Sequence, residues 1–471
     1  MDNSSNHVNR YLIAKLLLDS SYRQKLKMMM ENEHRAFAPE LGVNLGQVAR
    51  IGLLLENRDK RYKTIFFWIF LISLMIFWNN PVAGFWIYIL VSLGVYYQKS
   101  QQERFYLMKF VSKQYNDLDF LEKELSAKFG GQNLSREIPD GDQNLVVYSG
   151  FIPFVGSGYD MGGWSFPINI QKPKESLGAV SELRPFEIED LYLHIENTLF
   201  NCGLDGLSTQ DLLFVNGRQV RDITWILPSK HSYPVRLVDN QFVEDFKKKN
   251  DSDIRHYKAV RIFDWGNEIV VSYFLRFAIK GKYLFIEANR FLLTPVAEQY
   301  REIDTYLSPE IKDYLGLAGS CLIIGPFVVF GGALSVLNRG LRWIQEKDIL
   351  GFRARKKKSK MERDVFYDYG AKNSLRLEAS DGRYQHFFQK LDKEMYFKIL
   401  EKEFFDAILS FLDEHNIDIS EMRERTDTIL NNGLIVQGGE VNAESLSVGA
   451  GAKSTSTRIS KVLEAVSSSP A

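Results

Sequence analysis

"TIFFWIFLISLMIFWNNPVAGFWIYILVSLGVYY", residues 64–97, carries no formally charged side chain. Two apolar runs, 64–78 and 82–97, flank the short turn "NNP", a pattern that predicts a helical hairpin. Each run is short for a hydrocarbon core that takes about 20 helical residues, but Tyr62, Asn79 and Asn80 extend them into the interface. Trp68, Trp78, Trp86, Tyr96 and Tyr97 are the candidate interface residues, since amphipathic rings settle at headgroup depth. A soluble core would have to hide bulky side chains all round both helices, so a transmembrane hairpin is the stronger expectation.

Basic residues set the orientation. Arg50, Arg58, Lys60, Arg61 and Lys63 precede the first run, Lys99, Arg104, Lys109 and Lys113 follow the second, and the turn between them has no charge. Both ends are therefore expected in the cytoplasm, giving a multi-pass protein of a bacterial inner membrane.

A second apolar stretch, "YLGLAGSCLIIGPFVVFGGALSVL" at 314–337, conflicts with a simple third crossing. Ten basic and three acidic residues lie between Arg339 and Arg363, and a lone span would carry them outside. Gly325 and Pro326 split the stretch into arms of about 12 residues, a length that suits a re-entrant loop or a helix pair packed on the hairpin. A buried soluble hairpin is the alternative. Arg353, Arg355, Lys356, Lys357 and Lys358 would then face anionic headgroups.

The rest of the chain predicts an α+β membrane protein with a cytoplasmic antiparallel-sheet and helix domain and a helical C-terminal block. The segments are an N-terminal amphipathic helical region (1–63, with Leu12, Leu16, Leu17, Tyr22 and Leu26 at helical spacing), the hairpin (64–97) and an amphipathic stalk helix (98–142). An α+β domain (143–313), the Gly-rich apolar segment (314–338), a basic linker with a short strand (339–383), a helical block (384–430) and a Gly/Ser-rich tail with two short β runs (431–471) complete it. Within the α+β domain "DLLFVNGRQV" predicts a hairpin turning at Asn216-Gly217, and 257–293 predicts a three-stranded meander. The stalk helix and the tail segment 431–452 are candidate self-association elements.

Charge and cysteine content exclude several classes. Fifty-nine basic residues balance fifty-nine acidic ones, so no specific nucleic-acid partner is expected, and the lipid bilayer is the predicted partner. Cys202 and Cys321, the two cysteines, form neither a disulfide framework nor a metal spacing. No catalytic residue, cofactor or metal ligand is assigned. His194 lacks a partner at zinc-site spacing, and Cys202 lacks an orienting base. Asp264, Glu268 and Glu287 are expected to pair across strands with Arg261 or Arg276.

The most conspicuous soluble motif is "YSGFIPFVGSGYDMGGWSF", 148–166. Glycine-rich backbone can approach an anion closely, so Gly156, Ser157, Gly158, Tyr159 and Asp160 form a candidate ligand site, although no Lys-Ser/Thr follows. An aromatic loop pinned by Pro153 and Pro167 is the structural alternative.

"VVYSGFIPFVGSG", "GGWSF" and the tail "ILNNGLIVQGGEVNAESLSVGAGA" together resemble uncharacterised bacterial membrane proteins with a central apolar hairpin. That resemblance implies an inner-membrane location and carries over no catalytic residue. Two functions are weighed: a non-enzymatic anchored protein with a sensing or interaction domain, acting as scaffold or as a membrane-perturbing, defence-type effector, and a tethered enzyme taking a nucleotide or lipid headgroup through the 148–166 loop.

Overall fold

The computed structural model describes residues 7–31, 34–111, 117–130, 143–176, 179–249, 253–307, 319, 327, 330–331, 334–336 and 363–432. Gly325, Pro326, Arg353, Arg355, Lys356, Lys357, Lys358 and tail residues 433–471 lie outside them.

The fold is α+β. Six strands form one mixed sheet in the order β1-β5-β6-β7-β8-β2: β1 (Leu145–Tyr148), β2 (Tyr159–Asn169), β5 (Leu207–Asn216), β6 (Ile254–Asp264), β7 (Ile269–Lys280) and β8 (Tyr283–Leu293). A two-residue pair, β3 (Glu175–Ser176) and β4 (Ala179–Val180), is antiparallel. The chain divides into two compact units, Met1–Gly158, Gly206–Ser272 and Leu292–Gln389 in the first, Tyr159–Asp205, Tyr273–Phe291 and Lys390–Ala471 in the second.

In the first unit, α1 (His7–Leu18) and α2 (Ser20–Glu31) bury Leu12, Leu16, Leu17, Tyr22 and Leu26 against α3 (Leu45–Asn79). Asp19 breaks the two helices apart by accepting from the N–H groups of Ser21 and Tyr22. The expected N-terminal helix is thus two helices, and α1 is buried on nearly every side.

At 35 residues α3 is about 52 Å long. Its partner α4 (Pro81–Tyr106) follows after a single residue. Asn80 serves both helices: its N–H donates to Ile76 O at 2.8 Å, and its Oδ1 accepts from Ala83 N at 3.1 Å. Pro81 opens α4, where its missing N–H costs nothing.

The amphipathic stretch after α4 does not continue as a stalk. A π-helical turn, Leu107–Val111, ends α4, and a new helix, α5 (Leu118–Phe129), is capped by the Asp117 side chain. Gln47 Nε2 bonds Asp119 at 2.7 Å and Arg50 Nε bonds Glu122 at 2.6 Å. The chain has therefore turned, and α5 runs along α3, with Leu121 and Leu125 buried.

Two strand expectations are also corrected. Asn216-Gly217 is not a hairpin turn; after it the chain enters a 3-10 turn, Val220–Asp222, and Gly217 N bonds Tyr148 O at 2.8 Å. The antiparallel partner of β5 is β6, with Asp211 opposite Lys258, while β1 joins β5 in parallel. Hence the sheet is mixed. The expected 257–293 meander appears as consecutive neighbours β6, β7 and β8. Helices α6 (Ile188–Asn201) and α7 (Asn240–Lys248) follow the sheet's N-terminal strands, α8 (Glu298–Arg301) and α9 (Leu375–Ala379) are short, and α10 (Phe387–Glu414) and α11 (Ser420–Asn432) match the predicted helical block.

Within the second unit, Trp164 stacks on Phe405 with ring centroids 4.7 Å apart and donates Nε1–H to Glu401 at 2.9 Å. Arg290 meets the same carboxylate at 3.4 Å. Burial raises the Glu401 pKa, with Arg290 and the Trp164 hydrogen bond opposing.

Candidate functional site

The glycine-rich loop is held by contacts with protein backbone. Phe154 packs edge-on to Phe214 and Tyr257, both at 5.2 Å, and Ser157 is buried. Gly156 has φ +83° and Gly158 φ +105°; a Cβ would fall 2.3 Å from Pro39 O at the first and 2.1 Å from Leu292 O at the second. Only glycine fits either place. Tyr159 and Asp160 are not loop residues but begin β2, and Asp160 Oδ1 accepts from Gly162 N at 2.8 Å. The motif's glycines therefore let a loop close against its own fold, while its tip, Phe151, stands 96% exposed.

The other chemistry-bearing candidates are satisfied locally. His194 Nε2 lies 3.0 Å from Ser410 Oγ, and the Cys202 thiol donates to Leu199 O at 2.8 Å. Arg276 pairs with Glu287 at 3.6 Å, as cross-strand pairing predicts. Glu268 instead meets Arg301 and, at 3.9 Å, His7. Among the described residues no group of three His, Cys, Asp or Glu stands close enough to hold a metal ion.

One carboxylate gathers three basic groups. Asp211, on β5, lies 2.8 Å from His256 Nε2 and 3.0 Å from Lys258 Nζ, both on β6, and 3.2 Å from Lys247 Nζ on α7. Burial works to raise the Asp211 pKa, but the His256 hydrogen bond and the lysine charges outweigh it and hold the carboxyl far below its usual range. Burial depresses the His256 pKa, so its ring is neutral at neutral pH. The cluster fastens α7 to the sheet.

The hairpin presents the largest unexplained surface. Both α3 and the apolar stretch that begins at Pro81 are long and apolar enough to cross a membrane, and only 17% and 11% of their apolar windows are buried by the protein. Trp68, Trp86 and Tyr97 are exposed, Trp78 at the turn is 88% exposed, and Tyr96 is half-buried. The inner side is closely fitted: Ser73 and Ser92 are buried, and Tyr62 and Phe66 pack with Ile69, Tyr88 and Val95. Phe330, a helical residue of the Gly-rich segment, meets Phe70 of the first apolar run edge-on at 5.6 Å.

Where the hairpin enters the folded part, five charges interlock. Arg23 of α2 reaches Asp59 of α3 at 2.5 Å. Arg58 bonds Asp59 at 3.2 Å and Glu103 of α4 at 2.7 Å, while Lys99 stands 3.9 and 3.8 Å from the same two carboxylates. Arg58, Arg23 and Asp59 are all buried, and Tyr62 OH donates to Gln102 at 2.7 Å beside them. A buried ion pair contributes defined geometry more than net attraction, so this network fixes how α2, α3 and α4 meet. Sequence reading counted Arg58 and Lys99 only as orienting charges and passed over Arg23, Asp59 and Glu103. The signal available was Arg58 and Asp59 standing one turn before the apolar run.

Fold and site define an α+β protein that carries a long apolar helical hairpin braced by buried charges. Residues 163–442 match the AbeC-like domain, and the chain belongs to that family. No curated protein and no solved structure matches it.

Proposed function

We propose that the chain is a non-enzymatic protein of a bacterial inner membrane, anchored by the 64–97 hairpin with both termini in the cytoplasm. Its α+β domain acts as the sensing or interaction part, and its apolar segments act on or assemble in the bilayer. The observation that carries this is the outward apolar surface of α3 and α4, left bare by the fold and bounded at its base by basic residues on both helices. Monomeric soluble proteins rarely expose so large an apolar surface.

The Phe70–Phe330 contact supports a re-entrant course for 314–337. Phe70 lies near the middle of the first run, and an arm of about 12 helical residues is about 18 Å long, roughly half the hydrocarbon thickness. Two such arms return the basic residues that follow to the side on which the segment began.

Reporter fusions after residues 80, 313, 345 and 471, together with carbonate extraction, test the anchor. Cytoplasmic signals at the last three positions and retention in the membrane pellet are expected; release by carbonate overturns it. Membrane potential in expressing cells tests the effector role, which fails if the potential stays unchanged under every inducing condition.

A further inference from the structure

The guanidinium of Arg58 is fully buried, yet among the described residues its Nε and Nη1 have no hydrogen-bond partner. Asp59 and Glu103 both take Nη2. Three N–H groups of a permanently charged side chain are thus left facing protein, a state that folded proteins relieve with a bound water or ion.

Charge and position favour an anion. Arg23, Arg58 and Lys99 against Asp59 and Glu103 give three positive and two negative groups, a net of +1. One turn further along α3, Lys60, Arg61 and Lys63 precede the first apolar run, which is headgroup depth for an anchored hairpin. Beside the buried guanidinium, the Lys99 and Glu103 side chains are 19% and 21% exposed. A planar guanidinium with a lysine beside it matches the oxygens of a phosphate.

We propose that Arg58 and Lys99 hold a phosphate group at the base of the hairpin, between α3 and α4. The phosphate comes either from an anionic lipid headgroup or from free inorganic phosphate; the lipid source rests on the anchored arrangement proposed above. Bound there, it completes the hydrogen bonding of Arg58 and ties the braced helices to the leaflet.

The test uses the full chain in nanodiscs of phosphatidylcholine alone or mixed with phosphatidylglycerol, and in detergent, with inorganic phosphate added as the second probe. Thermal unfolding and native mass spectrometry are the readouts. The variants are Lys99→Met and the charge-balanced pair Arg58→Met with Glu103→Gln, which keeps the net charge of the network unchanged. Wild type is expected to be stabilised and to retain the anion, with Lys99→Met binding about tenfold more weakly, as for one lost charge-assisted contact. Stabilisation by phosphate in neutral discs or detergent identifies the free ion; a response to phosphatidylglycerol alone identifies the headgroup. If neither probe affects the wild type, or both variants respond as it does, Arg58 faces buried water only and the proposal fails. Carbonate release of the chain would instead overturn the anchor, with the detergent arm still deciding the phosphate.

Discussion

Gly84 lies directly against Phe77 across the hairpin turn: a Cβ on Gly84 would fall 2.5 Å from both the Cα and the N of Phe77. Backbone cannot move aside as the end of a flexible side chain can. Gly84→Ala therefore has to splay α3 from α4 near the turn, at a cost of about 1–3 kcal/mol for an overpacked contact. Unfolding of the full chain in detergent should show the loss, and wild-type stability in the variant would mean the helices do not meet there.

Gly158→Ala should be destabilising rather than selectively ligand-blind. Its φ of +105° and the approach of Leu292 O impose both backbone strain, about 1–3 kcal/mol, and a clash. Chemical denaturation of the variant checks this. A fully stable Gly158→Ala protein would reopen the loop as a ligand cradle.

Glu40 predicts a measurable pH dependence. Its carboxylate accepts from Ser374 Oγ at 2.9 Å and from the N–H groups of Leu375 and Arg376 at 2.8 and 2.9 Å, capping α9 from a distant loop. Burial disfavours the charge more than these donors and the Arg376 charge favour it, and the pKa is pushed up to about 7. A carboxyl raised in the folded state contributes stability that is fully present below its unfolded value and is lost as pH rises through about 7. Relative to Glu40→Gln, wild-type melting temperature should therefore fall between about pH 4.5 and pH 7. A constant difference across that window would contradict the burial of Glu40.

Asp211 carries the opposite sign. Its pKa is depressed, so its stabilising contribution is present above the ordinary aspartate range and disappears on acidification towards its folded value. Asp211→Asn leaves Lys258, Lys247 and His256 without their shared carboxylate, at about 2 kcal/mol at neutral pH, less than for a wholly buried pair because Asp211 is 25% exposed on its side chain. Denaturant midpoints of the two proteins should differ at neutral pH and converge on acidification.

How much of this was legible beforehand depended on the range of the forces involved. The hairpin, α10 and α11 follow from local periodicity and punctuation such as "NNP", which act within a few residues. The sheet was only half legible: β6, β7 and β8 are consecutive, but β1 finds β5 in parallel across some sixty residues. Leu213 and Val215 carry no mark of that partner. Asn216-Gly217 misled because the turn propensity is real while Tyr148 and Gly370, distant in sequence, claim its surroundings. The stalk helix failed for a similar reason, since an amphipathic face does not say whether it packs on a neighbouring chain or folds back on α3. At the candidate site, Arg58 and Lys99 were visible as charges, but the Asp59 carboxylate they share with Arg23 joins α2 to α3, a contact that composition cannot disclose.

The one-residue turn at Asn80 bears on how such a chain reaches its place. With Asn80 closing α3 and opening α4 at once, a single residue caps both helices at the turn, and 64–97 contains no ionisable acid or base apart from tyrosine hydroxyls. Entry of such a hairpin into a bilayer as a preformed pair would move neither a charged group nor a folded segment across it. In the anchored arrangement proposed above, the insertion step would need only the transfer of apolar surface, without the work of translocating a domain.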